Sequence, residues 1–333
     1  MKNIYILQTG GTIMMEPALE GSHVEDAFNL NELLEEIPEI SKIAQIHTHN
    51  LFFEDSSNVY SHHWKQIIES VRTLYDHADG FVVLHGTDTM AYTASAVSFA
   101  LQGLGKPVIF TGSQVPLKNI RSDARRNLIN AIEMATHDIP ETAICFNDHL
   151  YRGNRSTKIS IGDFDAFQSP NFPHLAEIGV RIQLSDKILS RQPESQPEFF
   201  TDFRDRVHLI KLYPGFNPQN LTISDNPGIE ALVVEAYGTG NFPVKGPYNL
   251  LPFLQRCTEN GKIVVITSQA VHDAVALNTY EGGRRALDLG VISGGDMTSE
   301  ACLTKLTYLL GKYPDREEIR QKFLKSLCGE RSA

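Results

Sequence analysis

Ile4-Tyr5-Ile6-Leu7-Gln8-Thr9-Gly10-Gly11-Thr12-Ile13 sets a short apolar run directly against a glycine pair and a threonine. A run of this kind, bounded by a turn signal, reads as a strand buried on both faces of a largely parallel sheet. The paired glycines allow a sharp exit from that strand and a close approach of a ligand to the backbone. Thr12 then stands at the strand's carboxyl end, and open α/β sheets bind ligands in the crevice outside those ends. A nucleotide-binding fingerprint is the rival reading. Its spacing is missing, because Gly10 and Gly11 are adjacent and Met14, Met15 and Pro17 follow where a third glycine is needed.

Working outward, the apolar runs at 81–84, 108–110 and 143–146 read as further buried strands alternating with helical patterns. Trp64, Ile67, Ile68, Val71, Leu74 and Tyr75 mark one buried helix face by their spacing. The Ala- and Ser-rich segment after Thr89 is expected to repeat that one-faced pattern. His85-Gly86-Thr87-Asp88-Thr89-Met90 follows the second strand as Thr9-Gly10-Gly11-Thr12 follows the first, so Thr87 and Asp88 fall at the same rim. Asp88 has a structural alternative as a helix cap.

A third segment, Tyr151-Arg152-Gly153-Asn154-Arg155-Ser156-Thr157-Lys158, brings a lysine ahead of Asp163-Phe164-Asp165-Ala166-Phe167. Threonine hydroxyls are poor nucleophiles at neutral pH and need a proton acceptor and donors for a developing oxyanion. Lys158 with Asp88 could activate Thr87 in that way, although a lone lysine is usually a solvated surface residue. His47 and His49 share one strand face and His62 and His63 are adjacent, but no Cys or carboxylate set completes a metal site around them.

The chain has 333 residues, more than a single core usually organises, so two domains are expected. From 185 to 206 the apolar periodicity dissolves into prolines and charges, placing a linker at 189–206 between an N-terminal domain over 1–188 and a C-terminal α/β domain over 207–333. Strands are expected at 209–212, 231–234 and 263–266, and a last helix at about 315–327. A formal charge of -10, from 30 Lys+Arg against 40 Asp+Glu, opposes phosphate backbones and anionic lipid, so neither nucleic acid nor membrane is expected as a partner. The run at 4–7 is too short for a secretory leader or a membrane span. Cys145, Cys257, Cys302 and Cys328 are too few and too scattered for a disulfide framework, which suits a reducing cytoplasm.

Thr9-Gly10-Gly11-Thr12, the segment from His85 through Ser95 and the segment from Tyr151 through Lys158 resemble, in order and separation, the signatures of the L-asparaginase family, in particular the bacterial cytoplasmic type I enzymes. The resemblance continues through Thr111-Gly112-Ser113-Gln114, Arg121-Ser122-Asp123, Gly238-Thr239-Gly240-Asn241 and Gly294-Gly295-Asp296-Met297-Thr298, spanning nearly the whole chain. It implies a two-domain α/β fold, with a larger N-terminal mostly parallel sheet flanked by helices on both faces and a smaller C-terminal α/β domain. It implies hydrolysis of L-asparagine to L-aspartate and ammonia through an acyl-enzyme, without metal or organic cofactor. Thr12 is then the nucleophile, with Thr87, Asp88 and Lys158 as a second relay. Asp55, Ser56 and Ser57 would hold the substrate's α-amino and α-carboxylate groups together with Thr87 and Asp88. Assembly as a homodimer or a homotetramer built as a dimer of dimers is also implied.

The chain departs from the family at two places. Members usually carry a tyrosine on the loop after Gly-Gly-Thr, whereas this chain has Gly21-Ser22-His23 there and no tyrosine between Thr12 and Tyr60. An effector-binding arginine two positions before Tyr-Gly, found in some type I enzymes, is replaced by Glu235, so homotropic regulation of that kind is not expected. The alternatives to an asparaginase are a mixed glutaminase-asparaginase and a catalytically weak binder of asparagine or aspartate.

Overall fold

The computed structural model describes residues 1–15, 30–191 and 196–332. They form two compact units, Met1–Thr201 and Asp202–Ala333. The first begins with β1 (Asn3–Gly10), α1 (Leu30–Glu35), β2 (Gln45–Glu54), α2 (Ser61–Leu74), β3 (Gly80–Leu84), α3 (Met90–Ala100), β4 (Val108–Thr111), α4 (Ala124–Ala135) and β5 (Thr142–Phe146). It continues with β6 (His149–Arg152), β7 (Thr157–Lys158), β8 (Phe167–Gln168), β9 (Ala176–Ile178) and β10 (Ile182–Leu184).

Among the described residues these strands build one eight-stranded sheet in the order β10-β9-β6-β5-β4-β3-β1-β2, with β7 and β8 forming a separate two-stranded ribbon. The five strands from β2 to β5 run parallel, and β6, β9 and β10 continue the sheet antiparallel. Ile4, Ile6 and Leu7 of β1 and all of Gly80–Leu84 are buried, as strands covered on both faces require. The edge strand β2 is instead polar and largely open along Gln45–Asn50.

The α2 helix turns Trp64, Ile67, Ile68 and Val71 inward, as their spacing predicts. The Ala/Ser-rich α3 does not repeat that pattern, since every residue from Met90 to Ala100 except Tyr92 is buried. Small side chains allow backbones to approach α3 closely: a Cβ on Gly153 would lie 2.9 Å from Ser98 Oγ and 3.1 Å from the Ala94 carbonyl oxygen. Gly153, within the Tyr151–Lys158 region, is thereby laid directly against an almost wholly buried helix.

An ion pair holds that region from the other side. Arg152 donates through Nε to Glu141 Oε2 at 2.6 Å and through Nη2 to Oε1 at 3.2 Å, with both side chains only 4% exposed. The Glu141 carboxylate also accepts from Leu189 N–H, and Arg152 Nη2 donates to the Lys187 carbonyl. Removing one partner strands a buried charge, at about 3–5 kcal/mol. Glu141→Ala is therefore expected to lower the urea midpoint by that much stability with little change in m-value.

The expected linker is shared between the units. Glu198 N–H and Phe200 N–H donate to the Gln102 and Ala100 carbonyls, and Phe199 packs edge-on to Tyr75, so the first unit extends through Thr201.

The second unit contains β11 (Val207–Lys211), β12 (Ala231–Ala236), α5 (Leu251–Glu259), β13 (Ile263–Ser268), α6 (Glu281–Asp288), β14 (Ile292–Ser293), α7 (Ser299–Lys312) and α8 (Arg316–Leu324). Its strands form a parallel sheet in the order β11-β12-β13-β14. The last helix ends at Leu324, three residues before the expected 327. The fully buried Lys305 ammonium draws the chain back there, donating to the Phe323 and Lys325 carbonyls and to Glu330 Oε1. The Glu330 carboxylate in turn takes the Leu327 and Cys328 N–H groups.

Candidate active site

The carboxyl ends of β1, β2 and β3 converge because glycines remove the side chains that would keep them apart. Gly10 has φ +112° and a Cβ there would lie 2.4 Å from the Glu54 carbonyl oxygen; Gly11 has φ +91° and its Cβ would lie 2.5 Å from Gly86 N. The glycine pair thus serves a backbone crossing, and Gly11 also brings its backbone to the cavity at these strand ends. Thr12 follows at the start of a 3₁₀ turn, Thr12–Met14, closed by Met14 N–H to the Gly11 carbonyl at 3.1 Å.

A cavity of about 210 Å³ opens at these ends. Thr12, Asp55, Ser56, Thr87, Asp88 and Lys158 line it, with Gly11, Met15, Gly86, Gln114 and Ile161 completing the wall. Six of the seven residues expected from sequence therefore meet at one place. The seventh, Ser57, is exposed and outside the lining. Its N–H donates to Asp55 Oδ1 at 2.8 Å, capping the turn Ser56–Asn58, and its hydroxyl and N–H together hold the Asp55 carboxyl below the usual carboxylate range.

Lys158 closes the cavity from the β7 ribbon. Its side chain is 14% exposed, and its ammonium donates to Thr87 Oγ1 at 2.8 Å and to Asp88 Oδ1 at 2.6 Å. Asp88 does not cap α3, whose N-cap is Thr89. The Thr89 hydroxyl donates instead to the Ser56 carbonyl at 2.6 Å, binding the β2 and β3 ends together.

Gln114 is the residue that sequence reasoning passed over. Its Oε1 accepts the Thr87 hydroxyl hydrogen at 3.1 Å, while its Nε2 donates to the Ser160 and Asp163 carbonyls, which fixes the sense of the amide. The buried Asp123 carboxylate accepts from the Gln114 and Val115 N–H groups and from Asn127 Nδ2. The available signal was Gln114 in a Gly-Ser-Gln turn directly after the parallel strand β4, the same position that marks Thr12 and Thr87. Burial pushes the His85 imidazole, immediately before the Thr87 turn, down to about 4.

Three of the four histidines set aside in the sequence have other engagements. His47 stacks on Tyr5 and meets Asn3 Oδ1; His62 meets Gln66, and His63 packs on Phe52 and Tyr60. No group of three or more His, Cys, Asp or Glu among the described residues is placed to hold a metal ion. Ser22 and His23, at the place where family members usually carry the loop tyrosine, lie outside the described residues.

Chemically, the cavity presents two threonine hydroxyls, one tied to a lysine that also holds a carboxylate, and a second carboxylate beside a buried serine. That is equipment for a hydroxyl nucleophile and for a zwitterionic ligand.

Two family models match the chain, the asparaginase N-terminal model over residues 3–190 and the glutaminase/asparaginase C-terminal model over 206–323. L-asparaginase 1 of Escherichia coli (strain K12) is 40% identical over 334 residues, covering 99% of this chain and 98% of that protein. A glutamyl-tRNA(Gln) amidotransferase component of Pyrococcus horikoshii is 35% identical over 99% of this chain and 77% of its own length. In structure, L-asparaginase I from Vibrio cholerae matches with a TM-score of 0.89 at 40% identity, covering 100% of this chain and 99% of that one. The motifs, the two-unit α/β architecture and these full-length similarities agree: the chain belongs to the asparaginase family.

Proposed function

We propose that this protein hydrolyses free L-asparagine to L-aspartate and ammonia through an acyl-enzyme on Thr12. The observation that carries the reading is Lys158 bridging Thr87 and Asp88 across a cavity that Thr12 also lines. Thr12 Oγ1 attacks the side-chain amide carbon, forming a C–O bond; the C–N bond breaks and the nitrogen leaves as ammonia after taking up a proton. Water then cleaves the ester, returning the Thr12 hydroxyl and releasing L-aspartate. In the resting arrangement Lys158 donates to Thr87, whose own hydrogen rests on Gln114. For Lys158 to act as acceptor it must first pass a proton to Asp88, and the Thr87 hydroxyl must turn away from Gln114. Asp55 and Asp88 suit the substrate ammonium, and Ser56 its carboxylate. This chemistry calls for neither metal nor organic cofactor.

A cavity of about 210 Å³ is smaller than the roughly 300–1,000 Å³ of drug-binding pockets and suits a single small amino acid. One extra methylene is worth about 1–3 kcal/mol of discrimination. Ammonia release measured with both amides should show kcat/KM for asparagine exceeding that for glutamine by about 10- to 200-fold. Equal values would make it a mixed glutaminase-asparaginase, and aspartate binding without ammonia release a binder only. The charge of -10 weighs against the RNA-linked role in the archaeal relative's name.

The four free cysteines support a reducing cytoplasmic location. Exposed Ile159, Ile161 and Phe164 beside the cavity support self-association as a homodimer or homotetramer. Glu235 is matched by Lys211 at 3.6 Å, so a second carboxylate ligand finds an acid where a cation is needed. Initial rates should therefore rise hyperbolically with asparagine, and a sigmoidal curve would contradict the absence of an effector site there.

A further inference from the structure

We propose that His85 is a positioning residue whose Nδ1–H, bonded to the Gly86 carbonyl, holds the Gly86 backbone, against which Gly11 and Ser56 pack and from which the Thr87 turn departs. The inference rests on the hydrolase reading of the cavity and adds a residue to it that lines no part of that cavity. His85 is 1% exposed, and its Nδ1 lies 2.7 Å from its neighbour's carbonyl oxygen. A carbonyl only accepts, so the contact requires the hydrogen on Nδ1 and leaves Nε2 as a bare lone pair. That Nε2 is buried and has no hydrogen-bond partner among the described residues.

The backbone of Gly86 is where the strand ends meet. Gly11, the residue before Thr12, is so close that a Cβ would lie 2.5 Å from Gly86 N; a Cβ on Gly86 would lie 2.6 Å from Ser56 Oγ. From the β4 side, a Cβ on Gly112 would lie 2.3 Å from the His85 carbonyl oxygen. The His85 backbone N–H is held by the Thr111 carbonyl at 2.9 Å, and beyond it the chain turns out of the sheet toward Thr87. The ring bond is thus a side-chain tether on that turn, formed where ladder pairing ends. Displacing the Gly86 backbone would move Gly11 with it and change the relation between the two hydroxyls. A shift of about 1 Å at reacting groups costs on the order of 10²-fold in rate. The neutral ring matters as well: with an ordinary value of 6.5 brought down to about 4 by complete burial, the imidazole stays uncharged at neutral pH and retains one donor.

Isosteric substitutions separate this role from mere packing. In His85→Asn the side-chain amide nitrogen takes the place of Nδ1; in His85→Gln it takes the place of Nε2; His85→Phe keeps a ring and has no donor. With L-asparagine as substrate, well below each variant's Tm, the Phe and Gln proteins should lose about 10²-fold in kcat with KM changed only a few-fold, and the Asn protein should return to within roughly fivefold of wild type. Wild-type kcat in the Phe protein, or equal kcat in the Asn and Gln proteins, overturns the proposal. Nitrogen-15 NMR of histidine-labelled wild-type protein decides it even if every variant fails to fold. An Nδ1–H tautomer is expected, and an Nε2–H tautomer overturns it. If the wild-type protein released no ammonia, the hydrolase reading would fall, while the tautomer would still decide whether His85 tethers Gly86.

Discussion

Thr12→Ala is expected to reduce kcat for asparagine by on the order of 10⁴-fold or more, because it removes the atom to which the acyl group must be attached. The residue opens a turn held by backbone bonds, Met14 N–H to Gly11 and Met15 N–H to Thr12, which do not involve its hydroxyl. The fold should therefore survive, with Tm close to wild type. Binding of L-aspartate should also survive, because Asp55, Ser56 and Asp88 remain in the cavity wall. Thr12→Ser restores a hydroxyl and should recover most of the lost rate. Turnover by the alanine protein at the wild-type rate, measured as ammonia release, would remove Thr12 from the reaction and turn attention to Thr87, the other threonine hydroxyl in the cavity.

The second large effect is expected at Lys158. Its ammonium is the sole group shown bonded to both Thr87 Oγ1 and Asp88 Oδ1 among the described residues. Proton transfer by a positioned side chain contributes about 10²–10⁴-fold, and Lys158→Met, which keeps the length of the stem, should lose that factor in kcat with a smaller change in KM. Lys158→Arg supplies the decisive comparison. A guanidinium retains the charge beside Asp88 but does not give up its proton in proteins. If Lys158 relays a proton, the arginine protein should be as slow as the methionine protein. If Lys158 serves only as a charge, the arginine protein should keep most of its rate, and the relay would be refuted. The amide of Gln114 enters the same test, because it receives the hydrogen that Thr87 must surrender.

Local pattern made some of this structure legible. The runs at 4–7 and 81–84 have no charged residue to turn toward water, so they read as interior strands of a parallel sheet, as found. The face made by Trp64, Ile67, Ile68 and Val71 was readable for the same reason, since helical spacing and burial coincide. The α3 segment was not, because alanine and serine carry too little hydrophobic contrast to reveal how many sides a helix buries. The end of α8 escaped as well: it is set by Lys305, some twenty residues away in the chain, drawing the Phe323 and Lys325 carbonyls inward.

The site divides along the same line. The sequence by itself determined which groups stand at strand ends: Thr12 after Gly10-Gly11, Thr87 and Asp88 after β3, and Lys158 as a cation on a short polar segment. Periodicity and turn chemistry are local, so each of those positions could be read without its neighbours. Only the tertiary structure decided that Lys158 spans 70 and 71 residues of chain to reach Asp88 and Thr87, that Ser57 lies outside the cavity wall, and that Gln114 holds the Thr87 hydrogen. It also decided what the glycine pair is for. The short distances from Gly10 to Glu54 and from Gly11 to Gly86 arise from register between strands, and register is a property of the sheet, which no single strand's sequence contains.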